Sequence, residues 1–406
     1  MNNSSQVVKK DSLLQTRATL KWEDQGIIHR DSRYIPKLNI WRDQLPKGLE
    51  QKLMDSRIGD CMSLKFPAGI LIPSHESHKM FTLKRSQYLP KSGYQDEEPQ
   101  PGRFYPMGNL RGISGIFRSD VRPFLVRELD KESIKIDCNH PLARKTLKLE
   151  LRIEAIESIF QERGGECIDL ASHLSNGGPG MQTCQVNFGT EYYIEQPYFR
   201  EDENNDSVFY KTERLQSHLD EVARNEIAKL YHMLLQPGCR ILDLMSSWQS
   251  HLPGSLESSR VTGLGMNMKE MEINPWLSER VVHDINQDPS LPFGDSIFDA
   301  VICSLSVEYL SRPVDVFKQI ARVLVPGGIL IVTFSNRWFP TKVIEFWTEL
   351  HEFERTGLVL KWLLEASSFK NLHTFSLLGL PRPEGDRFRK MTLFSDPVYA
   401  VWGVSD

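Results

Sequence analysis

Carboxylate and hydroxyl side chains follow the short apolar runs in the C-terminal half of the chain. Asp243 lies at the end of one run, and Asp284 closes another. Ser304, Glu308 and Tyr309 follow a third. Ligands of parallel α/β sheets bind outside the carboxyl ends of the strands, so these side chains are expected to share one site. A buried carboxylate is costly without a hydrogen-bond donor, so Asp243 and Asp284 each need a partner.

Proton transfer in such a site would fall to one of few titratable groups. Glu308 is the candidate general base among the residues after the third run, which also include Ser306. The alternative for Glu308 is a carboxylate at a helix start, where the helix dipole favours it. His251 is a second candidate for the same pocket. The sequence leaves these alternatives open.

Apolar strands and helices alternate in this half and would position the site. A doubly wound α/β sheet is predicted, because apolar strands that alternate with helices form parallel βαβ units. The five predicted strands are Arg240–Met245, Val261–Gly265, Arg280–Asp284, Phe298–Cys303 and Ile329–Phe334. A helix is predicted over Val314–Leu324. An earlier amphipathic helix, from Leu215 to Leu234, is expected to end before Pro237.

The N-terminal half shows the two-residue period of half-buried strands. Polar and apolar residues alternate over Ser133–Asp137 and over Leu147–Ile156. Because side chains alternate across a strand, this pattern predicts antiparallel β structure with little helix. We expect a β domain over residues 17–160, a linker over 161–210 and an α/β domain over 211–406. The linker is rich in glycine and ends in an acidic run, Glu201–Asp206, that is expected to be solvated.

Composition excludes several classes of protein. The chain has 406 residues and a net charge of −4, which argues against a nucleic-acid binder. No apolar stretch reaches the ~20 residues of a membrane span, and no signal peptide is recognisable, so a cytoplasmic protein is expected. The six cysteines and eleven histidines are dispersed, without CxxC or HExxH spacing, so no metal site is expected.

Several motifs in the C-terminal half occur in a characteristic order. They are Ile241-Leu242-Asp243, Val261–Leu264, Asp284-Ile285-Asn286, Leu291–Asp299, Val325–Gly328 and a final strand pair, Leu372–Leu378 with Val398–Gly403. In this order they resemble the class I methyltransferases, type 11, that depend on S-adenosyl-L-methionine (SAM). The resemblance implies that Asp243 orients the cofactor loop or the ligand's amino group. It also implies that Asp284 accepts a hydrogen bond from adenine and that the backbone of Ile285 contacts the ring.

The cofactor loop departs from the pattern of this family. The usual loop, Asp-x-Gly-x-Gly-x-Gly, is replaced here by a stretch without glycine, residues 243–253. Gly265 stands where the family has an acidic residue that binds the ribose. We expect Ser246 and Ser247 hydroxyls to replace the glycine contacts and Asn267 to replace the acid. The alternative is a decayed site, in which Trp248 fills the space; by the resemblance, Ser304, Ser306, Glu308 and Tyr309 lie where the methyl acceptor is contacted.

The N-terminal half carries a second specific motif, Asp-x-Asn-His-x-Leu-Ala, within Ile134–Ala143. Together with Leu45–Leu53 and Leu147–Ile153 it resembles the SlyD-type FKBP peptidyl-prolyl isomerases, with an insert-in-flap portion near residues 84–137. The prolyl pocket departs from the family: Arg30 or Asp31 stands at the aspartate position, and Leu149 replaces a phenylalanine. Binding of unfolded or proline-containing chains is therefore favoured over isomerisation. The aromatic candidates for such binding are Tyr88, Phe104, Tyr105 and Phe117.

These observations lead to one principal hypothesis and two alternatives. The principal one is a SAM-dependent methyltransferase fused to an FKBP-like module that presents a protein or peptide substrate. The first alternative is a non-catalytic chaperone or peptide-binding protein on a degenerate methyltransferase scaffold. The second is an active peptidyl-prolyl isomerase. The sequence leaves the methyl acceptor and the oligomeric state open.

Overall fold

A computed structural model describes residues 6–90, 98–157, 166–175 and 198–406. The chain forms two compact units. The first holds the described residues of Met1–Gln25, His29–Glu195 and His351–Gly357, and the second holds Gly26–Ile28, Gln196–Leu350 and Leu358–Asp406. Of the linker predicted over 161–210, residues 161–165 and 176–197 lie outside the described residues. No described helix is long and apolar enough to cross a membrane.

The first unit is built mainly from β strands. Its strands are β1 (Leu13–Asp24), β2 (Ile27–Asn39), β3 (Cys61–Phe66), β4 (Met80–Lys84), β5 (Phe104–Pro106), β6 (Pro123–Leu129), β7 (Ser133–Asp137) and β8 (Leu147–Glu157). Its helices are α1 (Leu49–Leu53) and α2 (Leu170–Ser175), and short 3₁₀ turns span Ser77–Lys79, Arg85–Gln87 and Met107–Asn109. The predicted strands over 133–137 and 147–156 are thereby confirmed.

One sheet of this unit has the strand order β2-β1-β8-β3. Strand β8 pairs antiparallel with both β1 and β3, and Leu20 lies opposite Leu149 in the first of these pairs. Alternate residues of β8 are buried, as the two-residue period predicted. Leu170 and Leu174 of α2 belong to the same apolar core. This core therefore includes described residues from the stretch predicted as a linker.

A second, four-stranded sheet has the order β4-β7-β6-β5 and a core of its own. The four aromatic residues proposed to bind unfolded chains differ in their exposure to solvent. Tyr88, Phe104 and Tyr105 are buried, so the expectation that they form an accessible contact surface is wrong. Tyr88 and Tyr105 belong to the core of this sheet, and the ring of Phe104 packs against that of Phe353 at 5.5 Å between centroids. Phe117 is 72% exposed and remains available.

Seven strands of the second unit lie side by side in the order β11-β10-β9-β12-β13-β15-β14. The strands are β9 (Arg240–Leu244), β10 (Arg260–Gly265), β11 (Leu277–Val282), β12 (Phe298–Ser304), β13 (Leu324–Phe334), β14 (Phe369–Leu378) and β15 (Val398–Ser405). The first five are parallel, and β15 runs antiparallel between β13 and β14. The doubly wound α/β sheet and its closing antiparallel pair are confirmed.

Helices flank the strands in the sequence from residue 198 onward. They are α3 (Asp206–Phe209), α4 (Glu221–Leu234), α5 (Met268–Ile273), α6 (Pro313–Val323), α7 (Glu345–Glu349) and α8 (Glu352–Ala366), with 3₁₀ turns over Gly254–Leu256 and Val307–Tyr309. The helix predicted from Leu215 begins only at Glu221, because the Asp220 carboxylate caps it by accepting from the amides of Val222 and Ala223. Leu215 is exposed before that cap.

The acidic run is not entirely solvated, contrary to expectation. Asp206 is buried and forms ion pairs with Arg200, at 2.9 Å, and with Lys342, at 3.0 Å. Lys342 is fully buried and also contacts Asp202 at 3.1 Å. Burial alone would raise the pKa of Asp206, but hydrogen bonds from Asn286, Arg200 and Lys342 hold it below its usual range. Asp206 at the end of the run is thus buried because two cations pair with it.

Lys342→Met removes this buried cation while keeping most of the apolar stem. Because breaking a buried ion pair costs about 3–5 kcal/mol, the free energy of unfolding should fall by about 3 kcal/mol. Urea denaturation of the full chain, followed by tryptophan fluorescence, measures the change. The exposed Lys318 on α6 provides the matched control, and Lys318→Met should change stability by less than about 0.5 kcal/mol. Equal midpoints for the two variants would contradict the role of this pair.

Candidate functional site

A cleft opens at the carboxyl ends of the parallel strands of the second unit. It encloses about 1080 Å³ of space free of protein atoms, counted out to its open mouth. The lining residues at the strand ends are Asp243, Met245–Gln249, Leu264–Asn267, His283–Asn286 and Ser304–Ser306. The site therefore lies where the alternation of strands and helices predicted it.

Asp243 is the centre of the hydrogen bonding in this cleft. It is 2% exposed, and its Oδ2 accepts the hydroxyls of Ser246 at 2.7 Å and Ser250 at 2.6 Å. Its Oδ1 accepts no hydrogen bond from any described residue. Burial raises the pKa of Asp243 to about 6, although the two hydroxyl bonds oppose the shift. Asp243 therefore orients the loop, one of the two tasks expected of it, and keeps one oxygen for a donor.

The loop after β9 achieves its bend without glycine. Met245 and His251 adopt left-handed backbone conformations, with φ of 57° and 55°. Such a conformation costs a residue with a side chain about 1–2 kcal/mol. The amide of Ser246 donates to the carbonyl of Leu264 at 2.7 Å, and Asn274 donates to the Ser247 carbonyl at 2.8 Å. These bonds offset the strain.

Trp248 lines the cleft and is half-buried. Trp248 therefore leaves the cleft open. The alternative of a decayed site required this side chain to fill it. The side chains of the loop stand around the cleft, and its volume remains open. The structure thus has room for a ligand beside a loop that contains no glycine.

Gly265 at the end of β10 has a steric cause. A Cβ atom there would lie 2.1 Å from the carbonyl oxygen of Ser246. Real Cβ atoms never approach backbone that closely, so no acidic side chain fits at this position while the loop keeps its course. The loop and the glycine are therefore two parts of one arrangement.

Glu270 of α5 is a cleft residue that the sequence analysis did not assign a role. It is 8% exposed, accepts the Ser247 hydroxyl at 2.6 Å through Oε2, and accepts the backbone amide of Arg214 at 2.7 Å through Oε1. It follows Asn267 by three residues, the spacing of a helix-capping pair. That spacing was a signal, but it indicates a helix start more readily than a binding group.

Asn267 lies in the cleft, but its side chain is engaged with backbone. Its carbonyl oxygen accepts the amides of Lys269, at 3.0 Å, and Glu270, at 3.2 Å, and so caps α5. Its amide group donates to the carbonyl of Tyr210 at 2.9 Å. The capping role accounts for an asparagine at this position.

Asp284 and Ile285 both line the cleft after β11. Oδ1 of Asp284 accepts the amides of Asn286, at 3.0 Å, and Gln287, at 3.1 Å. Its Oδ2 accepts no hydrogen bond from the described residues, and Ile285 is buried beside it. This pair presents an acceptor next to an apolar surface.

The residues at the end of β12 and in the 3₁₀ turn after it differ in whether they line the cleft. Ser304, Ser306 and Tyr309 line the cleft. The Ser304 hydroxyl lies 2.6 Å from the hydroxyl of Tyr231. The Tyr309 hydroxyl accepts the amide of Phe339 at 2.8 Å, and its pKa is raised by burial and by the nearby Glu308.

Glu308 itself is 1% exposed and does not belong to the lining of the cleft. It lies in the 3₁₀ turn Val307–Tyr309, with its charge beside the phenol of Tyr309. His251 does line the cleft. Burial, with a smaller effect of Arg224, lowers the pKa of His251 to about 4, so its imidazole is neutral at pH 7.

The most specific motif of the first unit forms a turn, as expected. The Asn139 carbonyl oxygen accepts the amide of Glu76 at 2.8 Å, and the Asn139 side chain donates to Asp137 at 2.9 Å. Nδ1 of His140 accepts the amide of Leu142 at 3.0 Å. The bond from Glu76 joins this turn to a distant segment of the chain, and the other two bonds lie within the turn.

The residues considered for a prolyl pocket are all at least partly buried. Leu49 and Leu149 are part of the apolar core. Asp31 is buried and Arg30 is half-buried. Among the described residues, no three His, Cys, Asp or Glu side chains are grouped so as to hold a metal ion.

Comparisons with known proteins agree with this architecture. A family model described as a methyltransferase domain matches residues 253–332. The FKBP-type 16 kDa peptidyl-prolyl cis-trans isomerase of Escherichia coli (strain K12) is 28% identical over 163 residues, 39% of this chain and 99% of that protein. The ubiquinone/menaquinone biosynthesis C-methyltransferase UbiE of Laribacter hongkongensis is 27% identical over 149 residues, 34% of this chain.

The chain spans 59% of the length of that methyltransferase. Among solved structures, a SAM-dependent methyltransferase from Aquifex aeolicus is 15% identical, with a TM-score of 0.33, and covers 50% of this chain and 100% of its own. The sequence matches confirm both resemblances. The chain thus joins an N-terminal segment similar to FKBP-type peptidyl-prolyl isomerases to a C-terminal segment similar to SAM-dependent methyltransferases.

Proposed function

We propose that the C-terminal unit transfers a methyl group from SAM and that the cleft around Asp243 holds this cofactor. The observation that carries the proposal is the open cleft beside two carboxylate oxygens without partners among the described residues, Oδ1 of Asp243 and Oδ2 of Asp284. SAM bears an ammonium group and an adenine amino group, and each needs such an acceptor. These two carboxylate oxygens therefore fit the two donor groups of the cofactor.

The remaining cleft residues fit the same ligand. Asp243 would face the ammonium group, whose positive charge stabilises a carboxylate with a raised pKa. Asp284 would accept from adenine, and buried Ile285 would contact the ring. Ser246 and Ser247 hold the loop against the ligand through their bonds to carboxylates. Asn267 contributes by fixing the start of α5.

The chemistry that bound SAM supplies is a methyl group already activated by its sulfonium, so alignment of the acceptor is the main requirement. Tyr309 and Ser304 present hydroxyl groups to the cleft from the end of β12. Because the pKa of Tyr309 is raised, its phenol stays neutral and orients the acceptor by donating a hydrogen bond. Glu308 acts on Tyr309 by its charge, whereas His251, with its pKa lowered to about 4, is only a weak proton acceptor.

For the N-terminal part, residues 17–160, we propose an FKBP-like module with an insert-in-flap that binds peptides and presents a protein substrate to the methyltransferase domain, residues 211–406. Two features support peptide binding. The four-stranded sheet has an independent core, and Phe117 and Val121 near it are 72% and 71% exposed. Exposed apolar side chains of this size are typical of binding surfaces. Isomerase activity remains the alternative for this module.

Asp243→Asn tests the cofactor site. The substitution keeps the shape of the side chain and removes the negative charge, so calorimetric titration with S-adenosylhomocysteine should show affinity reduced by at least about tenfold. Asp295→Asn, at an exposed carboxylate paired with Arg322, should leave affinity unchanged. Absence of binding heat with the unmodified chain would overturn the proposed cofactor.

The same carboxylate predicts a pH dependence. Asp243, with its pKa at about 6, is ionised above that pH and protonated below it. Only the ionised form attracts the ligand's ammonium group, so affinity should be level from pH 7 to 8. Below about pH 6 it should decline by up to about tenfold per pH unit. Asp243→Asn should give a flat profile, and parallel profiles for the two proteins would contradict this assignment.

Phe117→Ser tests the peptide-binding surface. Because the side chain is exposed, the substitution should leave stability nearly unchanged while weakening suppression of aggregation of an unfolding client protein, measured by light scattering. Ile70→Ser is a suitable control, since Ile70 is 63% exposed elsewhere in the same unit. If both variants retain full suppression, this surface does not bind clients.

A further inference from the structure

We infer that Glu270 is the group that binds the ribose hydroxyls of the cofactor in this chain. The inference rests on the proposed function, and it assigns to α5 a task that the family resemblance gives to the end of the second strand. That position is Gly265, where a side chain would collide with the carbonyl of Ser246. The end of β10 therefore carries no carboxylate. A carboxylate that binds the ribose must come from another element of the cleft.

Glu270 lies in the right place for this task. It is two residues into α5, whose start is fixed by Asn267, and Asn267 itself directly follows the segment Gly265–Met266. Both Gly265 and Glu270 line the same cleft. The Glu270 carboxylate contacts Ser247, the neighbour of Ser246, whose carbonyl lies against Gly265.

The hydrogen bonding of Glu270 leaves capacity for a ligand. A carboxylate has about four acceptor sites, and Glu270 uses one on each oxygen, for Arg214 and Ser247. Among the described residues, no lysine, arginine or histidine forms an ion pair with it. A buried carboxylate without a cation is costly, and the two hydroxyls of a ribose would supply the missing donors.

The Ser247 hydroxyl and the Arg214 amide also hold the carboxylate in position. Both donors lie at 2.6–2.7 Å, and they come from different segments of the chain. A carboxylate fixed in this way loses little freedom when a ligand binds. A purely structural role, in which Glu270 only joins these two segments, makes a different prediction for ligand selectivity.

Titration calorimetry with S-adenosylhomocysteine and its 2′-deoxy and 3′-deoxy analogues separates these roles. The unmodified chain should bind at least one deoxy analogue about 10–100-fold more weakly, because a hydrogen bond to a charged group is lost. Glu270→Gln should weaken binding of the parent ligand by a similar factor and bring the ratio between parent and analogue close to one. Asp284→Asn serves as the matched control, since it should weaken all ligands alike and keep the ratio.

Retention of the full ratio in Glu270→Gln would overturn the inference while leaving the proposed cofactor intact. No binding of S-adenosylhomocysteine by the unmodified chain would overturn the cofactor proposal as well. If Glu270→Gln does not fold, judged by its thermal unfolding, Glu270→Asp replaces it. The shorter carboxylate should reduce the ratio, and an unchanged ratio in that variant would equally contradict the assignment.

Discussion

The carboxylate of Asp243 and the two serine hydroxyls that donate to it determine the form of the loop after β9. Methyltransferases with a glycine-rich loop obtain this bend from residues that have no Cβ. Here Met245 and His251 take left-handed conformations, and hydrogen bonds to Asp243, Leu264 and Asn274 maintain them. The bend is therefore maintained by both side-chain and backbone hydrogen bonds, and every such bond has a buried partner.

This course of the loop has a consequence on the neighbouring strand. The Ser246 carbonyl approaches β10 so closely that position 265 tolerates only glycine. The absence of glycine from the loop and the absence of an acidic residue at the strand end thus belong to one arrangement. Glu270 lines the cleft in the same arrangement, and its partner Ser247 belongs to this loop.

Much of the fold was predictable from local patterns, whereas several features of the site were not. The alternation over Leu147–Ile156 and the order of apolar strands after Arg240 were predictable, because the apolar character of each side chain indicates that it is buried. The start of α4 depended on Asp220 as a cap, and burial of Asp206 depended on Lys342, far along the chain. Glu270 could not be assigned from the sequence, because its contacts with the Ser247 hydroxyl and the Arg214 amide join separate segments of the chain.

A crystal structure of the chain with S-adenosylhomocysteine would show whether Asp243 shapes the ligand site. We expect the ligand in the cleft, with the hydroxyls of Ser246 and Ser250 still bonded to Asp243 and with Trp248 beside the ligand. A loop that refolds around the ligand, with those two bonds broken, would contradict the claim that Asp243 shapes the site. A cleft closed by Trp248, with no ligand bound, would contradict the enzymatic assignment itself.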